Sequence, residues 1–459
     1  MLILALVFGS FSIWYYLKNN EELYKVAFIV ILLFGLLFMF MSPLDGPSDE
    51  MEHIWRAEIT SQGVLFPEYT TIGNVSGFES IYSLATMPQD VTLYQTSWYS
   101  QDINTSLSLV NSAFIQNPFY LYLVQGFGVF LAKLLDFSNL TIVLFARFFN
   151  LLFYSSLAAF AIKKTPILKV PMFIAAVFPL TIVQGASVSA DAFIIGFSFI
   201  VIAYLLHMYK SKEASLGKKE IGIFFILVLI LALSKVTYGA FALLIFLVPS
   251  KNFKNTKTYY YLSIVGIMAI LSILLVWTNY YALDSLLYSW RGPYFAERHV
   301  CATEQLNYIL SHPFEFIITF LHLPNQLWNQ VDLFSLFYVG FDSFPLFNIA
   351  YFIFFTIICF VYPVYENILK KERLIIGLCL VILIVGTYFV QYLTWSVVGD
   401  NSLSDSGVFP RYFIPIMALL PFVLNINRRY KPKNLELTVV TLSVSFLISA
   451  VIFVSSFAF

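Results

Sequence analysis

Apolar runs close to the length that crosses ~30 Å of hydrocarbon recur along this chain, separated by short polar breaks. They fall at 2–17, 26–42, 141–162, 170–184, 192–208, 221–233, 239–249, 259–281, 346–368, 374–395, 411–425 and 435–457. Read as helices, they make about twelve spans. Lipid offers the backbone no hydrogen-bond partner, so the self-satisfying helix is the element predicted for each run. The chain is thus predicted to be an all-α polytopic membrane protein whose first partner is the lipid bilayer. Runs 221–233 and 239–249 are too short to cross upright. They predict a broken helix that lowers Lys235 into a cavity.

Basic residues set the direction of the path. Lys and Arg cluster at 18–25, 163–169, 210–219, 251–257, 370–373 and 428–433, and such clusters stay cytoplasmic. Every cluster then falls on one side, with both termini outside. The stretch 117–137 is apolar enough to span, yet counting it would move Lys163, Lys164 and the 210–219 cluster outside. It is predicted instead as a juxtamembrane or re-entrant helix on the outer face. The chain divides accordingly. Residues 1–42 carry the first two spans, 43–137 a long outer loop with juxtamembrane helices, and 138–281 further spans. A second large outer loop covers 282–345, and the C-terminal spans occupy 346–459.

Composition agrees. A hydrophobic fraction of 59% with only 11% charged residues and a mean hydropathy of +0.81 exclude a soluble domain of this length. The formal net charge is zero, so no global field favours nucleic acid. Cys359 and Cys379 lie in apolar runs and Cys301 is left alone outside, which gives no disulfide framework. The start MLILALVFG has no basic n-region and no A-x-A-like site, so it reads as a retained span.

The scarcity of charge makes its concentration informative. Between Pro43 and Gln116 lie nine acids (Asp45, Asp49, Glu50, Glu52, Glu58, Glu68, Glu79, Asp90, Asp102) against one base, Arg56. SDEMEHIWRAEI reads as a helix start, with Ser48 or Asp49 as cap and Glu52 completing a D-x-x-E capping box. Asp49, Glu52, His53 and Arg56 would share one face and Met51, Ile54, Trp55 and Ile59 another, as in a helix lying on the membrane surface. A carboxylate at such a site can take a proton from a hydroxyl nucleophile, held in place by His53 or Arg56 a turn or two away. Asp49 and Glu50 point about 100° apart on a helix and cannot share one proton, which indicates one base and one supporting acid. Asp45, Asp49, Glu50 and His53 are metal-ligating types at no metal-specific spacing, so no metal site is assigned and a divalent cation is left open.

The stretch PSDEMEHIWRAEITSQGVLFP resembles the P-D-E-x-x-H-x-x-R-A signature of a bacterial membrane family, domain of unknown function 2142, related to GT-C-type glycosyltransferases. FPLTIVQGASVSADAF, ALSKVTYGAF, LFYVGFDSFP and GVFPRYFIPI follow in the family's order. The resemblance runs from about 43 to 415 and departs at GVFPRYF, where many relatives carry Gln-Gly before the Arg. It implies a GT-C-like fold, an acid in the first outer loop as base and polyprenyl-phosphate sugars as donors. The D-E pair falls on Asp49 and Glu50, and a second outer acid on Asp191.

Basic residues on the outer side need a reason of their own. Lys235, Arg291, Arg298 and Arg411 break the positive-inside bias, which points to a buried anion, and a polyprenyl phosphate suits a membrane pocket. The expected protein is an inverting glycosyltransferase of the bacterial plasma membrane, with its active site facing outside. Asp49 would be the base, with Glu50 and His53 beside it. Asp191, Lys235, Arg291, Arg411 and Arg56 would bind substrate: a polyprenyl-phosphate sugar and a surface glycan, teichoic acid or lipid. A polysaccharide polymerase and a non-enzymatic export or assembly protein are the alternatives. Asp49→Asn is expected to abolish transfer, Glu50→Gln to reduce it less. Asp342 reads as an Asx-type turn, Asp400 and Asp405 as a solvated loop, and Asn74 and Asn104 as chance sequons.

Overall fold

The computed structural model describes residues 1–19, 22–47, 49–72, 75–89, 91, 96–282, 289–325, 345–364, 368–403, 408–426 and 432–458. The features expected at Ser48, Asn74, Asp90, Asp342, Asp405 and Arg428 lie outside them. The chain is predominantly helical. Among the described residues, six helices are long and apolar enough to cross a bilayer: Leu23–Met41, Asn139–Lys164, Asp191–Tyr209, Thr256–Ala282, Lys370–Trp395 and Leu435–Ser455. Leu2–Lys18 and Ala350–Val361 are shorter apolar helices.

Three of the expected spans are not continuous α-helices, and proline or an extended residue marks each break. Run 170–184 splits into Lys169–Ala176 and Pro179–Gly185. Phe178, ahead of Pro179, is held extended, as a residue before proline prefers. The carbonyl of Ala176, released at this break, accepts from Tyr154 Oη (2.7 Å) and Thr181 Oγ1 (3.0 Å). Run 411–425 becomes the short turns Pro410–Phe413, Ile414–Met417 and Leu420–Leu424. The guanidinium of Arg373 donates to the released carbonyls of Val423 (2.5 Å) and Asn425 (3.0 Å). Run 239–249 lies in a 3₁₀ helix, Val236–Leu247. A 3₁₀ rise of ~2.0 Å per residue gives it more reach than an α-helix of equal length. Lys235 stands at the break in extended conformation (φ −158°, ψ 117°).

The stretch 117–137 folds into Leu123–Leu134, only 12 residues. Gly126 and Gly128 let it wedge between helix Glu50–Ser61 and helix Asn139–Lys164. A Cβ at either would lie 2.9 Å from Ala57 O or 2.6 Å from Phe145 O. Leu123, Phe127, Phe130 and Leu134 are exposed along its other face.

The long loop contains one feature the pattern of apolar runs does not carry. Three antiparallel strands, β1 (Thr70–Ile72), β2 (Val75–Ile81) and β3 (Leu107–Val110), form a sheet in that order. Phe78 and Val110, cross-strand partners, pack with Ile59 and Ile115 into a small core of their own. Helix Glu50–Ser61 is accordingly buried inside this loop structure, with Met51, Ile54, Ala57 and Ile59 shielded. It does not lie on the membrane surface as an interfacial helix would. Its polar residues are enclosed as well: Glu58 is fully buried and accepts from Lys133 (3.0 Å), Ser80 (2.9 Å) and Gln62.

Candidate functional site

A fully buried ion pair sets the start of the acidic loop. Arg147, inside helix Asn139–Lys164, grips Glu50 with two prongs, Nε to Oε1 at 2.7 Å and Nη2 to Oε2 at 2.5 Å. Its remaining donors go to the carbonyls of Met39, Ser42 and Pro43 at 2.8–3.0 Å. Those carbonyls end helix Leu23–Met41, so one guanidinium satisfies a helix terminus and a carboxylate together. Glu50 Oε1 also accepts from Val188 N (2.9 Å). The pair thereby ties the end of one span, the loop helix and the turn before Asp191.

Asp49 precedes that anchor in the left-handed conformation, φ 64°. Its side chain makes no cap hydrogen bond. The cap comes from Asp45, whose Oδ1 accepts from Met51 N (3.0 Å). Glu52 does not close a capping box. It accepts from Ser112 Oγ (2.8 Å), Ala113 N (2.6 Å) and Trp290 Nε1 (2.5 Å). The carboxylate of Asp49, released from capping, faces Arg411 (Oδ2 to Nη2, 3.6 Å) and keeps 37% of its side-chain surface open. Arg411 is meanwhile held by Asp191 through Nε at 2.5 Å. Ser189 Oγ accepts from Asp191 N (3.1 Å) and donates to Gln184 Oε1 (3.0 Å), pinning the turn that presents this second acid.

Two further cations reach the same place. The ammonium of Lys235 sits over the ring of Tyr412, whose carbonyl accepts from Tyr238 Oη (2.9 Å). Arg291 is sandwiched by aromatic rings, with its guanidinium 4.7 Å from Trp395 and 5.4 Å from Phe114. Its Nε is buried without a hydrogen-bond partner. Among the described residues neither cation has a carboxylate within ion-pair distance, although Asp191 and then Asp49 act on the charge of Lys235, and Glu52 and then Asp49 on that of Arg291.

Five of the eight expected site residues therefore converge: Asp49, Asp191, Lys235, Arg291 and Arg411. The other three stand beside them in supporting places. Glu50 is locked against Arg147. His53 is hydrogen-bonded to Tyr122 Oη (2.7 Å) and stacked on Phe114. Arg56 is fully buried and donates to Thr60 Oγ1 (2.6 Å) and the carbonyls of Leu65 and Asn117. Neither His53 nor Arg56 bonds Asp49; Arg411 orients it instead. Arg298 is exposed and donates to Tyr294 Oη. Arg147 escaped the sequence reading, although a charge inside an apolar run is itself a signal. Trp290 carried no such signal.

His53 gives a prediction of its own. Burial, reinforced by Arg411 and opposed by Asp49 and Asp191, pushes its imidazole down from 6.5 to about 4. The folded state therefore holds a neutral ring where the unfolded chain would bind a proton. Stability from this residue is complete above pH ~6.5 and is lost as pH falls towards ~4, on the order of 3 kcal/mol in all. Thermal unfolding of the purified protein across that window should show a steeper decline for wild type than for His53→Gln. Parallel declines would refute the assignment.

These spans, with a charged pocket at one end, define a polytopic α-helical membrane protein. The chain belongs to the family of predicted membrane proteins termed domain of unknown function 2142, whose model matches residues 32–420. No curated protein and no solved structure matches it significantly.

Proposed function

We propose that this protein is a membrane glycosyltransferase that moves a sugar from a polyprenyl phosphate to an acceptor hydroxyl. In this reading the broken runs also count as crossings, giving about twelve and a GT-C-like arrangement. The pocket faces the outside of a bacterial plasma membrane. The observation that carries the reading is the convergence of one accessible carboxylate, Asp49, with Arg411, Lys235 and Arg291. The acceptor oxygen attacks the anomeric carbon, the bond from that carbon to the phosphate oxygen breaks, and configuration inverts. Asp49 takes the hydroxyl proton as the new bond forms. Lys235 and Arg291, with no carboxylate at ion-pair distance among the described residues, neutralise the charge that gathers on the departing phosphate. Arg411, tied to Asp191, aims the base.

Titration with polyprenyl phosphate tests the cationic half. Lys235→Ala and Arg291→Ala should each weaken binding by about 1.5–3 kcal/mol, roughly ten- to a hundredfold. Affinities equal to wild type in both variants would remove the phosphate role. The orientation is checked separately. A cysteine at exposed Asn104 should react with an impermeant thiol reagent on intact cells, and one at exposed Ser215 should not. The reverse pattern would place the pocket in the cytoplasm.

A further inference from the structure

We propose that the hollow bordered by Asp49 and Trp290 is the acceptor subsite and that it takes a neutral sugar ring; this rests on the transferase reading above. The hollow has a volume of about 460 Å³ and is lined by Asp45, Asp49, Glu52, Trp55, Gln89 and Trp290, among others. That volume lies within the roughly 300–1,000 Å³ usual for small-molecule sites.

Both tryptophans are fixed in advance. Trp55 Nε1 donates to Leu84 O (2.9 Å). Trp290 is clamped twice, by Glu52 at Nε1 (2.5 Å) and by Asn111 Oδ1 at its backbone N–H (2.7 Å). Yet Trp290 remains 39% exposed. A large apolar ring held open to solvent by a carboxylate that itself has two further donors is a preorganised platform. A pyranose fits such a platform, because one of its faces presents C–H groups and its edge presents hydroxyls. Carboxylate and amide side chains around the rim are partners for those hydroxyls.

Charge selects among acceptors. Among the described residues three carboxylates and no cation line this hollow. Lys235 and Arg411 are gathered at Tyr412 instead, and Arg291, 5.4 Å from the Trp290 ring, sets one positive charge behind the platform against the three negative ones. A phosphate-bearing acceptor would be repelled here, and a neutral ring would not. Asp49 both lines this hollow and faces Arg411, where a base for the acceptor hydroxyl is needed.

The test uses the full chain in nanodiscs, probed by saturation-transfer NMR with neutral gluco- and galacto-oligosaccharides and a glycerol-phosphate hexamer. At least one neutral oligosaccharide should bind and the hexamer should not. Trp290→Ala should lose at least tenfold in that affinity while polyprenyl-phosphate binding stays at wild type, which also reports that the variant is folded. Trp290→Phe, which keeps a ring, should stay within a fewfold of wild type. Hexamer binding as tight as the sugars, or unchanged sugar binding in Trp290→Ala, would overturn the proposal and leave Trp290 an interfacial anchor. Lys235→Ala distinguishes the two claims. Sugar binding retained with unchanged polyprenyl-phosphate affinity would sink the transferase donor assignment, not this subsite.

Discussion

Asp49→Asn is expected to lower sugar transfer by about 10²-fold or more while the protein folds and inserts as wild type. Each half of that expectation has a structural reason. Asn tolerates the left-handed backbone that Asp49 adopts at φ 64°. The helix cap is supplied by Asp45, so the substitution removes no cap. Arg411 keeps its tighter partner, Asp191, at 2.5 Å. What the amide cannot do is accept the proton. Transfer from a polyprenyl-phosphate sugar, measured in membranes normalised for folded protein, decides the matter. Wild-type turnover in the variant would end the assignment of Asp49 as base.

The neighbouring acid should behave in the opposite way. Glu50→Ala is expected to destabilise the protein by about 3–5 kcal/mol, because Arg147 is left charged and buried without its counter-ion. Both side chains have no exposed surface, and Glu50 accepts from Val188 as well as from Arg147. Glu50→Gln should also fail by folding, contrary to the milder activity defect that adjacency to Asp49 suggests. The measurement is the yield of monodisperse protein and its unfolding temperature, taken beside Asp49→Asn. A well-folded Glu50→Ala variant with reduced transfer alone would reverse the division drawn here between anchor and base.

Arg147 illustrates how far a linear reading reaches. Helices and their polar interruptions were legible because a bilayer imposes one solution on any long apolar run. The acid cluster was legible because charge is scarce elsewhere, and the break at Lys235 because the flanking runs are short. The discontinuities at 170–184 and 411–425 were visible as prolines but were absorbed into apolar runs. Their cost is met by Tyr154, Thr181 and Arg373, which lie far away in sequence.

By itself, then, the sequence determined an α-helical membrane protein with its charge gathered in the loop after the second apolar run, since hydrocarbon length and charge scarcity act locally along the chain. Which acid is buried and which is open was decided only in three dimensions. Asp49 and Glu50 are adjacent and chemically alike, and nothing in their spacing separates a base from an anchor. The separation comes from Arg147, which captures Glu50, from Asp45, which takes over the cap, and from Arg411 with Asp191, which faces Asp49 from the far part of the chain. Each is a long-range or side-chain choice in which burial and a specific partner outweigh local propensity, and those are terms that only packing supplies.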